Sequence, residues 1–122
     1  MLGERRARKP SLLGVCGGLL AAAAVGLSAY AAHAADGPSM QSHLDTAALY
    51  AFGHGAVLAV LGPTSLNRFA RVALYVLLLG VLLFSGSVAG GALGLWPTRL
   101  APAGGTALMV GWVMLALSAL KR

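Results

Sequence analysis

Four stretches of the chain are almost free of charged side chains, and short polar or breaker-rich segments separate them. The first covers residues 12–32 and carries no charge at all. The second, residues 44–61, is shorter, contains Asp45 and His54, and is closed by Gly62 and Pro63. The third runs over residues 72–93 and the last over residues 103–120. A helix rises about 1.5 Å per residue, so roughly 20 apolar residues cross a hydrocarbon core about 30 Å thick. With their flanks, the four stretches predict transmembrane helices over residues 12–34, 44–61, 70–94 and 103–120. The links between them carry Asp36, Gly37 and Pro38, then Gly62 and Pro63, then Trp96, Pro97 and Pro102. Links this short make successive helices antiparallel neighbours. The expected fold is therefore all-α: an integral membrane four-helix bundle with short loops. It forms a single domain over residues 12–122, preceded by a basic segment at residues 1–11.

Composition agrees with a lipid solvent. Apolar residues make up 58% of the chain and charged residues only 10%, with a mean hydropathy of +0.81. A soluble domain carries about 25% charged residues, because its surface needs them. The net charge of +6 would by itself point towards nucleic acid. The cations, however, flank the apolar runs. Arg5, Arg6, Arg8 and Lys9 precede the first, Arg68 and Arg71 lie between the second and third, and Lys121 and Arg122 follow the last. Cations so placed set membrane orientation and contact anionic lipid. The expected partner is the bilayer, not nucleic acid. With the N-terminus inside, the cytoplasmic side holds eight Lys and Arg residues and the outer side only Arg99. Cytoplasmic loops carry such an excess, so both termini are expected in the cytoplasm.

The first span also resembles a signal peptide, with a basic start and small residues at Ala32 and Ala34. Its apolar stretch is about 20 residues, beyond the 7–15 of a signal peptide, and a retained helix is expected. Cys16 is the only cysteine, so no intramolecular disulfide forms, and inside an apolar span its thiol reads as buried and inert. Val15 is too bulky, and the preceding apolar stretch too short, for a lipoprotein processing site at Cys16.

Gly14, Gly18, Ala22 and Gly26 recur every four residues in the first span, and Gly86, Gly90 and Gly94 in the third. Small residues let backbones approach closely, which matters because the hydrophobic effect does not drive helix association in lipid. The two ridges are expected first as packing seams within the chain. Second, they offer docking faces for other membrane-protein subunits or another copy. Trp96 fits the outer interface belt, whereas Trp112, near the middle of the fourth span, is expected to pack in the bundle.

His54 lies near the middle of the second span, where a polar side chain is costly and marks a candidate functional site. At 100° per residue Thr46, Tyr50, Gly53 and His54 share one face, and Tyr50 can reach His54 one turn on. One reading is a proton or solute relay lined by Tyr50, His54, Ser85 and Ser87. The other, preferred here, is a neutral imidazole bonded to Tyr50, Ser85 or Ser87 that fixes helix register. His33, Asp36, His43 and Asp45 surround the first outer link with residue types that bind divalent metal. Their spacing matches no metal signature, and His33 stands about 12 Å or more from the depth of His54. No metal is expected. There is no Ser-His-Asp or Cys-His pattern, phosphate-binding loop or intramembrane carboxylate pair. Neither an enzymatic activity nor a cofactor is expected.

Several short segments carry a family resemblance: Ala32 to Ala34, Tyr50 and His54 with Gly55 and Ala56, Leu83 to Ser87, Leu100 to Gly105, and Gly111 with Trp112. In this order and spacing the chain resembles the family called domain of unknown function 423, whose animal relatives are similar to transmembrane protein 256. The resemblance covers nearly everything after the basic N-terminus. It implies a small bacterial inner-membrane protein of about four helices, and it supplies no activity, catalytic residue or cofactor. Four short helices enclose little beyond their own side chains. The expected role is thus a non-enzymatic accessory or scaffold subunit packed in a larger membrane assembly. The alternative is a small proton, ion or solute transporter or channel using His54 and Tyr50.

Overall fold

A computed structural model describes residues 10–120. Residues 1–9 of the basic segment and the cations Lys121 and Arg122 lie outside the described residues. The chain forms α1 (Leu12–Ala34), α2 (Pro38–Leu61), α3 (Arg68–Ala92) and α4 (Ala101–Ser118). All four are long and apolar enough to cross a membrane.

Local chemistry sets the helix ends. Ser11 has extended backbone, and its side chain accepts from the Gly14 N–H at 3.0 Å, which caps α1. After α1 the chain turns through Gly37, whose φ of +98° is open to glycine, straight into Pro38. Proline suits a first helical turn because its missing N–H would have had no partner there. The Gln41 N–H then reaches the Gly37 carbonyl at 3.1 Å. Consequently α2 begins at Pro38 and not at residue 44, as hydropathy predicted. Hydropathy marks where the helix turns apolar, whereas the helix itself continues outward through polar residues 38–43. Asn67 caps α3 by accepting from the Ala70 N–H at 2.7 Å. That helix ends at Ala92, two residues before the prediction. Gly94 takes a φ of +77°, the Leu95 N–H returns to the Gly90 carbonyl at 2.8 Å, and the Gly94 N–H returns to Gly91 at 3.1 Å. This is the Schellman closure, which satisfies carbonyls that the helix leaves free. α4 starts at Ala101, with Pro102 in its first turn.

The bundle is open. α2 and α3 form its centre, α1 packs on α2, and α4 packs on α3. No Cα atom of α4 comes within 8 Å of one in α1 or α2. The main core cluster joins Leu13, Leu58, Leu74, Leu77, Val81 and Leu108. Between α1 and α2 the backbones meet at glycine. A Cβ on Gly55 would stand 2.7 Å from the Gly17 carbonyl oxygen, and one on Gly17 would overlap the Ala59 backbone nitrogen. Between α3 and α4, Gly104 lies against the Phe84 backbone, and Gly111 against Leu77.

These seams differ from the predicted ridges. Gly18, Gly26 and Gly86 have open space where a side chain would be, so they are not packing seams within this chain. The buried stripe of α1 is Leu13, Gly17, Ala24 and Ala31, and that of α2 includes Leu44, Ala48, Ala51, Gly55 and Leu58. Steps of three and four, averaging 3.5, keep one stripe against a partner along a whole helix. A strict four-residue repeat, as in Gly14, Gly18, Ala22 and Gly26, drifts around the helix and leaves the seam. Two predicted glycines do pack, each on a neighbouring ring: Gly14 faces Pro63, and Gly90 receives the indole of Trp96.

Candidate functional site

His54 is half-buried on α2. Its Nδ1 lies 2.8 Å from the Tyr50 carbonyl oxygen, and its Nε2 lies 3.0 Å from the Trp112 indole nitrogen. A carbonyl only accepts and an indole N–H only donates. The imidazole therefore carries its proton on Nδ1, donates it to Tyr50, and accepts from Trp112 at Nε2. Its tautomer is set by these two partners. Trp112 thus reaches across to α2, but it is 42% exposed and not buried in the bundle as expected. Its hydrogen bond ties α4 to α2 where their backbones do not meet.

Aromatic rings continue from this pair. The Tyr50 ring lies 5.9 Å from the His54 ring and nearly parallel to it at 14°, and 4.7 Å from Phe84 with a tilt of 46°. The Trp112 ring is 5.7 Å from His54 at 58°. Such offset and tilted arrangements are the favoured ones for ring pairs. Together with Thr106 and Met109 of α4, these rings line a groove of about 380 Å³. The Thr106 hydroxyl is turned back to donate to the Pro102 carbonyl at 2.9 Å.

The predicted polar set separates into two. Tyr50 and His54 share the aromatic groove, while Ser85 and Ser87 are buried elsewhere. Ser85 donates to the Ala47 carbonyl at 2.9 Å and lines a recess beside Leu20 and Ala24 of α1. The Ser87 oxygen is buried with no hydrogen-bond partner. No continuous polar track runs through Tyr50, His54, Ser85 and Ser87. His54 also sits off the middle of its helix, because α2 starts at Pro38. It is seven residues from Leu61, or about 10 Å from that end. The partner that sequence reasoning missed is Trp112. A signal was present, since a mid-span indole N–H needs an acceptor and an imidazole supplies one.

Two further polar groups are accounted for. Arg71 donates to the Gly62 carbonyl at 3.4 Å and to Thr64 at 2.9 Å, closing the end of α2 with a cation at its negative pole. The His33 Nδ1 donates to the Ala29 carbonyl at 3.0 Å. Among the described residues no three His, Cys, Asp or Glu side chains gather as a metal site, His33, Asp36, His43 and Asp45 included.

The profile of a family described as "Protein of unknown function (DUF423)" matches residues 27–105, a stretch that includes Tyr50, His54 and Phe84. The chain is 39% identical over 107 residues to a UPF0382 membrane protein of Haemophilus influenzae, covering 80% of this chain and 84% of that one. It is 32% identical over 118 residues to a UPF0382 membrane protein of Staphylococcus epidermidis, covering 88% and 93%. No solved structure matches.

Proposed function

Since the chain belongs to the DUF423 family of membrane proteins, we propose that it is a non-enzymatic accessory or scaffold subunit packed in a larger assembly of the bacterial inner membrane. The observation that carries this is the outward face of α1. That helix packs on α2 along one stripe, while Gly18, Ala22 and Gly26 lie exposed on its other side. No other helix comes within 4 Å of the place a Gly18 or Gly26 side chain would take. In lipid a ridge of small residues gains van der Waals contact only when another backbone lies along it. Both termini face the cytoplasm in this proposal, because eight of the nine Lys and Arg residues then share that side.

Native mass spectrometry from mild detergent tests the role. The protein is expected to leave the membrane with partner chains, and a Gly18→Leu, Gly26→Leu double variant is expected to lose them while remaining folded. A lone monomer that is indifferent to both substitutions would defeat the proposal. The transport alternative has weaker support. Both ring nitrogens of His54 are engaged, and neither Ser85 nor Ser87 joins it.

A further inference from the structure

We infer that the groove between α1 and α2 is a binding site for a single-chain cationic amphiphile, with its ammonium paired to Asp45 and its apolar body lying along Phe52. The groove holds about 720 Å³, within the usual range for small-molecule sites. Ala24, Ser28 and Ala32 form one wall, a single stripe of α1 at steps of four. Asp45, Leu49 and Phe52 form the other, on α2. The lining is apolar apart from two groups, the Ser28 hydroxyl and the Asp45 carboxylate. Neither has a hydrogen-bond or ionic partner among the described residues.

Asp45 is the only acidic residue in the four helices. Asp45 lies exposed in the groove towards the Pro38 end of α2, and the described residues offer it no ionic partner. A cation is the complement. A bare divalent ion is excluded by the donor set, because one carboxylate and one hydroxyl fall far short of the six or more oxygens a hard cation requires. An ammonium needs only a few acceptors, and three donors suit a carboxylate beside a hydroxyl. From Asp45 the groove continues to Phe52, seven residues along α2 or about 10 Å, with no further polar group on that side. A charged head with one short apolar tail fits this layout. A second negative charge or a polar tail does not. Val25 and Ala29 of the groove share the outward face of α1 with the exposed glycines, whereas Asp45 and Phe52 stand on α2, so binding is measured on the chain alone in nanodiscs, apart from the subunit role.

The test is calorimetric titration of decylammonium into the full-length protein in phosphatidylcholine nanodiscs, with empty discs as the blank for simple partitioning. The intact protein is expected to show one saturable site per chain. Asp45→Asn is expected to weaken it roughly tenfold or more, the cost of leaving an ammonium unpaired. Ala29→Phe, which fills the groove from an exposed position and keeps the carboxylate, is expected to weaken it as well. Decanol and decyl sulfate are expected to give only the signal of empty discs. Circular dichroism establishes that each variant is folded. The inference is overturned if the intact protein shows no saturable binding, if folded Asp45→Asn binds as well as the parent, or if decanol binds as tightly as decylammonium.

Discussion

At His54, the imidazole is held from both sides, by the Tyr50 carbonyl one turn back and by the Trp112 indole 58 residues away. A double-mutant cycle of His54→Ala and Trp112→Phe is expected to give a coupling of about 0.5–1.5 kcal/mol, typical of an interhelical hydrogen bond in a membrane protein. Reversible unfolding in mixed micelles measures it, and a coupling of zero would show that the pair contributes nothing. The two serines on α3 behave oppositely. Ser85→Ala removes a bonded hydroxyl and should cost about 1 kcal/mol, leaving the Ala47 carbonyl with one acceptor site unused. Ser87→Ala removes a buried hydroxyl that has no partner and should be neutral or stabilising. The sequence marked His54 as a costly polar group at depth, but it did not show what that group bonds. The local candidates were Tyr50, Ser85 and Ser87. Two serines two residues apart point about 200° away from each other on a helix and cannot both line one face. Trp112 becomes the partner only through the placement of α4 against α3, which no local spacing encodes.

Among elements, glycine does opposite things on adjacent positions of α1. Gly17 is in the seam, and Gly18, 100° around the helix, faces outward. Gly17→Leu or Gly55→Leu would drive a side chain into backbone and should cost upwards of about 2 kcal/mol, releasing α1 from α2. Gly18→Leu should change monomer stability by no more than about 0.5 kcal/mol. Equal effects at Gly17 and Gly18 would mean that the seam is misplaced. The abundance of small residues was legible in the sequence, but the choice of stripe was not. A four-residue repeat is conspicuous to the eye, whereas the operative repeat averages 3.5 and is shared by Leu, Ala and Gly. The start of α2 was hidden for a related reason: residues 38–43 are helical by capping and not by hydropathy. At its other end, Arg71→Ala should cost about 1 kcal/mol, and Lys should recover only part of this, because one ammonium cannot span two carbonyls as a guanidinium fork does.

For the whole molecule, the membrane character and the four spans were plain from the sequence, because hydropathy summed over some twenty residues tolerates local error. The open arrangement was not, since it depends on which pairs of helices meet. Orientation remains a matter of charge. Alkaline phosphatase fused after residue 36 or 97 should be active, and after residue 65 inactive, while a fluorescent protein at the C-terminus should mature in the cytoplasm. Activity on both sides of α2, or termini on opposite faces, would refute the proposed orientation.

The turn through Gly37 and Pro38 has a mechanical consequence for α1. Only residues 35–37 join it to α2, so Ala34 and Pro38 can never be more than about 14 Å apart, four peptide steps. The far end, where Gly14 meets Gly62 and Pro63, is held by contact alone. Any displacement of α1 is thus a scissor motion with its pivot at Gly37, and its amplitude grows towards the end that carries the basic segment. Asp45, about 10 Å from Pro38, sits near the pivot and shares little of that travel. An occupant of its groove must slide in sideways from the lipid, because the blades cannot part around it.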